Sequence, residues 1–281
     1  MDLLSEVRKL LKQYDIKPKK RLSQNFVVCS NLISKIIDCA NIESSDIVLE
    51  IGAGLGFLTK RIAEKARKVI AVEIDGKLVN VLRSLLKDFN NVEIIQADIM
   101  KLGPINVDKI ISNVPFNISS PLLFKIAKEY HFNKAVLTLQ KEFVDRMLAK
   151  PGSRDYGRLS VTSNFFFSIE FIDKVPRVCF YPPPKVDVSL IRISMNRSTP
   201  LNPLDEFFLE LTRFIFTQRN RKLKNVLPKF FEVIKIPKDM WNKILSGISL
   251  QEIRVIDLSV NDVYEISSYV YKYVETLRRG D

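Results

Sequence analysis

The chain has 281 residues, long enough to bury a large core in one or two domains, and its 46% hydrophobic and 27% charged content is that of a globular protein. Its 44 Lys and Arg against 32 Asp and Glu leave a net charge of +12, which points to a polyanionic partner, nucleic acid before an anionic membrane surface, or to no more than a lysine-rich proteome. A single histidine, His131, sets aside a histidine metal site, a Ser-His-Asp triad or a Cys-His dyad, while Cys29, Cys39 and Cys179, odd in number and without a CxxC pair, argue against a disulfide framework or zinc site and fit a reducing cytosol.

At the N-terminus, Leu3, Leu4, Val7, Leu10 and Leu11 recur at helical spacing in a charged stretch, which predicts an amphipathic helix and not a signal peptide. No apolar run reaches the length of a membrane span, so a cytoplasmic protein is expected. Lys17-Pro18-Lys19-Lys20-Arg21 follows as a basic, mobile segment, and a helix is expected from about Ser30 to Ala40. Strands over 46–52, 68–75, 92–98, 109–113 and 134–140 then alternate with helices over 57–66, 76–89 and 121–130, with another helix from Lys141. That rhythm predicts an α/β fold, a Rossmann-like doubly wound sheet with helices on both faces. From Arg154 the texture becomes β-rich in "RLSVTSNFFFSIEFIDKVP" and "KVDVSLIRISM", separated by "RVCFYPPPK". "NRSTPLNP" (196–203) reads as a linker, and only helical patterns follow it. The expected division is a catalytic domain over 1–199 and a smaller α-helical domain over 200–281.

"LEIGAGLGFLT" follows the first buried strand and opens a helix. Gly52, Gly54 and Gly56 permit a tight turn and close approach of backbone to a ligand, although alone they are only a strand-to-helix turn. Glu73 lies 21 positions after Gly52, at the end of the next strand, where an acidic side chain binds a ribose diol. Asp98 ends the third strand, where a carboxylate can accept a hydrogen bond from an adenine amine. Three successive strands ending in such groups indicate an adenosine ligand. The pattern is GxGxG and lacks the final spacing of the dinucleotide fingerprint, so S-adenosylmethionine fits better than a nicotinamide cofactor.

The fourth strand ends in Asn113-Val114-Pro115-Phe116, at the crevice where open α/β sheets place their chemistry. An exocyclic base amine is a poor nucleophile because its lone pair is delocalised into the ring. The Asn113 side-chain oxygen and the Val114 carbonyl can accept its two hydrogens and favour a pyramidal nitrogen. Pro115 fixes the turn and Phe116 stacks on the extruded base. No strong base is needed, which agrees with the missing catalytic histidine. Between Arg213 and Phe231 lie Arg219, Arg221, Lys222 and Lys224 with no acidic residue, a stretch expected to be a basic helix that tracks phosphates, or else a solvated helix face.

The blocks "LSQNF", "VLEIGAGLGFLT", "VEID", "NVPFNISSPLLF", "QKEFVDRMLAKPGSRDYGRLSV" and "FYPPPKVDVSLIRI" carry a resemblance. Over nearly its full length the chain resembles the ribosomal RNA adenine dimethyltransferases of the kasugamycin-resistance type. The resemblance implies conversion of two adjacent adenosines to N6,N6-dimethyladenosine in the 3′-terminal hairpin loop of small-subunit rRNA. It further implies a part in small-subunit biogenesis, with the rRNA presented inside a pre-ribosomal particle to a monomeric enzyme that uses no metal and no membrane. Carried over by position, Asn25, Val27, Gly52, Glu73, Asp98 and Asn113 line the cofactor, and Phe180 faces Phe116 across the target base. The family usually has Asn-Leu-Pro-Tyr where this chain has Asn-Val-Pro-Phe, and often a proline where Ala53 stands. Two competing classes stay open: a non-catalytic ribosome-assembly or transcription factor on the same fold, and a large-subunit rRNA methyltransferase.

Overall fold

The computed structural model describes residues 2–196 and 200–279. The chain forms two compact units, and its path crosses between them more than once: residues up to 144 and 167–196 form the first, 145–166 and the chain from 200 onward the second.

The first unit is built on nine strands: β1 (Phe26–Val27), β2 (Ile47–Ile51), β3 (Lys68–Glu73), β4 (Val92–Gln96), β5 (Lys109–Asn113), β6 (Lys134–Gln140), β7 (Phe167–Val175), β8 (Phe180–Tyr181) and β9 (Val188–Met195). Seven of them form one sheet in the order β4-β3-β2-β5-β6-β9-β7. Neighbours from β4 to β6 run parallel, whereas β9 is antiparallel to both β6 and β7. Val48, Leu49, Val69, Ala71, Ile110 and Ile111 are buried without regard to face, as a sheet covered on both sides requires. The chain winds outward from β2 through β3 to β4, then returns to the other side of β2 as β5. That reversal opens a crevice at the carboxyl ends of β2 and β5. At the opposite edge, the buried Lys109 ammonium meets Asp46 at 2.5 Å and the Asn41 carbonyl at 2.5 Å, so neither charge is left unpartnered.

β1 and β8 form a separate antiparallel ribbon pairing Phe26 with Tyr181 and Val27 with Phe180. Beside it Cys29 and Cys179, 150 residues apart, are joined as a disulfide with Cα atoms 4.8 Å apart, inside the range a bridge needs. This corrects the expectation drawn from cysteine spacing: the ribbon, which local sequence does not announce, brings the two together. The basic segment 17–21 is also tied down where a mobile stretch was expected. Lys19 pairs with Asp75 at 2.7 Å, and the Arg21 carbonyl accepts from the Asn117 amide. The N-terminal helix Leu3–Gln13 buries Val7 and Leu11 against a cluster that includes Ile16, Phe26, Leu55 and Leu78.

In the second unit the stretch 158–166, expected to be β-rich, is a helix, Arg158–Phe166. Phe165 stacks on Phe208 at 4.2 Å between ring centroids and lies 5.9 Å from Tyr264. That aromatic packing is why 145–166 groups with the later helices. The helix Pro203–Ile215 starts on a capping box, Asn202 with Asp205, with proline in its first turn. Of the expected linker 196–203, residues 197–199 lie outside the described residues. The expected basic helix is a broken segment: two short 3-10 turns, Phe216–Gln218 and Leu223–Asn225, precede the helix Leu227–Val233.

Candidate cofactor and nucleoside site

The turn after β2 supplies the floor of the site. Gly54 sits at φ +60, in the left-handed region, where its N–H reaches Glu73 Oε2 at 2.9 Å. A Cβ there would come within 3.4 Å of the Phe26 ring. Gly56 has a different task. At φ +88 a Cβ would lie 2.9 Å from Leu82, so this glycine lets the helix Phe57–Ala63 pack against the helix Gly76–Leu85.

A cavity of about 310 Å³ opens above the turn, and its wall brings together Asn25, Val27, Gly52, Gly54, Glu73, Asp98 and Asn113. Glu73 ends β3, buried, with Oε1 accepting the Asp75 N–H at 2.9 Å while Oε2 takes Gly54. Burial raises its pKa, and the hydrogen bonds from Asp75 and Gly54 oppose that rise. The Ile74 N–H also bonds this carboxylate, which still keeps acceptor capacity for a ligand hydroxyl. Asp98 stands two residues beyond the end of β4, its Oδ1 accepting the Met100 N–H at 2.9 Å. Asp75 caps the following helix and also receives Lys19 and Gln24. Burial pushes its carboxyl up, but those hydrogen bonds outweigh burial and hold it below the usual range.

Sequence reasoning missed Glu50. It is the last residue but one of β2, buried on the cavity wall, and its Oε2 has no hydrogen-bond partner among the described residues. Burial raises its pKa to about 8, with the Thr59 hydroxyl working against the rise and the Glu73 carboxylate adding to it. The signal was present: a carboxylate interrupting "IVLEI", an otherwise apolar strand buried on both faces. An orphaned acid on the wall, a glycine cradle and an acid placed for hydroxyls suit a cationic nucleoside, which is what S-adenosylmethionine is.

Asn113 closes β5 on the cavity wall. Its Nδ2 donates to the Asn25 carbonyl at 2.7 Å, and its Oδ1 accepts from the Thr138 hydroxyl at 2.6 Å. Val114 is buried and its N–H donates to the Thr138 carbonyl at 3.2 Å. Pro115 holds φ at −59 and turns the chain into a short 3-10 turn that begins at the half-buried Phe116. Phe116 and Phe180 belong to one apolar cluster, Phe180 only 3% exposed, and neither ring nor Val114 lines the cavity.

Two of the expected basic residues in the second unit are compensated. Glu252, outside the stretch that reads as purely basic, accepts from Lys222 at 2.9 Å and Lys224 at 2.5 Å. Arg219 donates to the Tyr156 carbonyl at 2.7 Å, and Arg221 is exposed.

A largely parallel sheet with one antiparallel strand inserted beside its edge, a glycine turn after β2 and acids at the end of β3 and just past β4 define a Rossmann-like methyltransferase. The model of the ribosomal RNA adenine dimethylase family matches residues 16–271. A probable ribosomal RNA small subunit methyltransferase A of Pyrococcus abyssi is 37% identical over 266 residues, 94% of this chain and 96% of its own length. One of Methanosarcina mazei is 36% identical over 273 residues, covering 93% and 98%. The crystal structure of a dimethyladenosine transferase from Plasmodium falciparum superposes with a TM-score of 0.78 at 31% identity, covering 89% of this chain and 98% of that one. The chain belongs to the ribosomal RNA adenine dimethylase family, and S-adenosylmethionine is its cofactor.

Proposed function

We propose that the protein methylates the N6 amine of two adjacent adenosines in the 3′-terminal hairpin loop of small-subunit rRNA, to the dimethyl state. The observation that carries this reading is the Asn113 amide, held on the wall of the cofactor cavity by hydrogen bonds at both of its ends. The small-subunit methyltransferase relatives support the choice of RNA. The cofactor, when bound, supplies an electrophilic methyl group. Glu73 accepts the ribose hydroxyls, Asp98 accepts from the adenine amine of the cofactor, and an ionised Glu50 balances positive charge. Asn25, Val27, Gly52 and Gly54 shape the pocket around it.

On the substrate side, the remaining lone pair of Asn113 Oδ1 and the Val114 carbonyl take the two amine hydrogens. That favours a pyramidal nitrogen with its lone pair directed outward. Phe116 offers the stacking face for an extruded adenine, and a small movement of the ribbon carrying Phe180 would free the second face. Arg219, Arg221, Lys222 and Lys224 contribute to an RNA track, in a monomer that acts in the cytoplasm on a pre-ribosomal small subunit. The test is incubation of unmethylated small subunits with enzyme and tritiated cofactor, followed by mapping of the label. Label confined to two adjacent adenosines near the 3′ end of the small-subunit rRNA supports the reading. Label elsewhere, or none, overturns it.

A further inference from the structure

We propose that Thr138 is a positioning residue for methyl transfer: its hydroxyl anchors the Asn113 side-chain oxygen, so that this oxygen is offered to the substrate amine in a fixed position. The inference rests on the reading of Asn113 as an acceptor for that amine. An asparagine amide fits its site in two orientations of nearly equal shape, and only its polar neighbours decide between them. Here the Asn25 carbonyl decides the orientation and the Thr138 hydroxyl fixes the oxygen end in place. The Asn25 carbonyl can only accept, so it draws Nδ2 at 2.7 Å. The Thr138 hydroxyl donates to Oδ1 at 2.6 Å. Turning the amide over would set Oδ1 against the Asn25 carbonyl oxygen, acceptor against acceptor.

The placement of Thr138 is hard to explain by packing. It is fully buried in β6, with Ala135, Val136, Leu137 and Leu139 buried around it, where an isosteric valine would lie as well. A buried hydroxyl costs free energy unless it is hydrogen-bonded, and the bond it makes is to the catalytic amide. Register explains the reach: Asn113 and Thr138 are directly paired on the parallel strands β5 and β6. The Thr138 carbonyl also holds the Val114 N–H. One residue of β6 thus anchors the acceptor side chain and steadies the peptide whose carbonyl is the second acceptor. Because a hydroxyl donates a single proton, one lone pair of Oδ1 stays available for the substrate.

The experiment compares Thr138→Val, Thr138→Cys and Thr138→Ser with wild type and Asn113→Ala, using unmethylated small subunits at saturating cofactor. The valine variant should lose roughly ten- to hundred-fold in kcat, the scale of a misplaced reacting group. Its KM for cofactor and for RNA should stay within about three-fold, because the lost interaction matters in the transition state. Cysteine, a weak donor of similar size, should behave like valine, and serine should restore most of the rate. Combining Thr138→Val with Asn113→Ala should slow transfer no further than Asn113→Ala alone. If Asn113→Ala is inactive while Thr138→Cys or Thr138→Val keeps the wild-type kcat, the proposal is overturned and the reading of Asn113 stands. An additional loss in the double variant would overturn it too. If Asn113→Ala itself keeps the wild-type rate, the underlying reading of Asn113 fails.

Discussion

Glu50 has a carboxyl that the fold holds neutral at ordinary pH, because burial raises its pKa from 4.5 to about 8. In the window between those values the folded chain keeps a proton that the unfolded chain has released. The stability this group contributes is therefore full below pH 4.5, declines as pH rises, and is gone above about 8. At about 1.4 kcal/mol per unit, the swing amounts to several kcal/mol. Glu50→Gln, which cannot ionise, should flatten this decline, so its melting temperature should exceed that of wild type at about pH 9. Equal pH dependence in both proteins would remove Glu50 from this role. A cation bound beside Glu50 favours its ionised form, so cofactor affinity should rise from about pH 6.5 to about pH 9 in wild type and change less in the variant, as calorimetry would report. Glu73→Ala should weaken cofactor binding by roughly 1–3 kcal/mol for a lost charged acceptor. Because Glu73 also holds the Gly54 and Asp75 N–H groups, the melting temperature should fall with it. Unchanged affinity would take Glu73 out of the ribose contact.

Among the elements, the parallel strands were legible because each is a short apolar run that ends in a turn. Glu73 could be placed because its distance from the glycine turn is set by one strand–helix–strand unit. The helix Arg158–Phe166 was not legible, for a physical reason. It is buried on most sides, through Ser160, Val161, Thr162, Ser163, Phe165 and Phe166, so it lacks an amphipathic period, and its β-branched and aromatic residues mimic a strand. The ribbon of β1 and β8 and the Cys29–Cys179 bridge depend on residues far apart in sequence, which no local pattern reports. Thr138 looked like one more strand residue. The same blindness hid Glu252, whose carboxyl is held below its usual range by hydrogen bonds from Lys224 and Lys222. Glu252→Gln should release both lysines, strengthen RNA binding and steepen its dependence on log[salt]. Arg221→Ala, at an exposed position, should flatten that slope by about 0.7–0.9 if it makes one phosphate contact. Filter binding across a salt series checks both, and unchanged slopes would place the RNA track elsewhere. Arg219→Ala should in addition lower the melting temperature, since it removes the bond to the Tyr156 carbonyl.

For the whole molecule, the cavity and the basic segment lie in different units, although most of the net charge lies on the first. The cavity residues all belong to the first, and the Arg219–Lys224 segment belongs to the second. A net charge of +12 supplies affinity for any polyanion, but it does not choose a base. The choice of an adenine amine falls to the turn at Asn113, so binding and transfer should be separable by mutation. The most direct measurement is mass spectrometry of digested small-subunit rRNA after reaction with wild type and with Asn113→Ala at saturating cofactor, alongside RNA binding by both proteins. Wild type should convert two adjacent adenosines to the dimethyl form, while Asn113→Ala should bind the RNA equally well and leave them almost unmodified. Dimethyladenosine formed by Asn113→Ala at the wild-type rate would contradict the account.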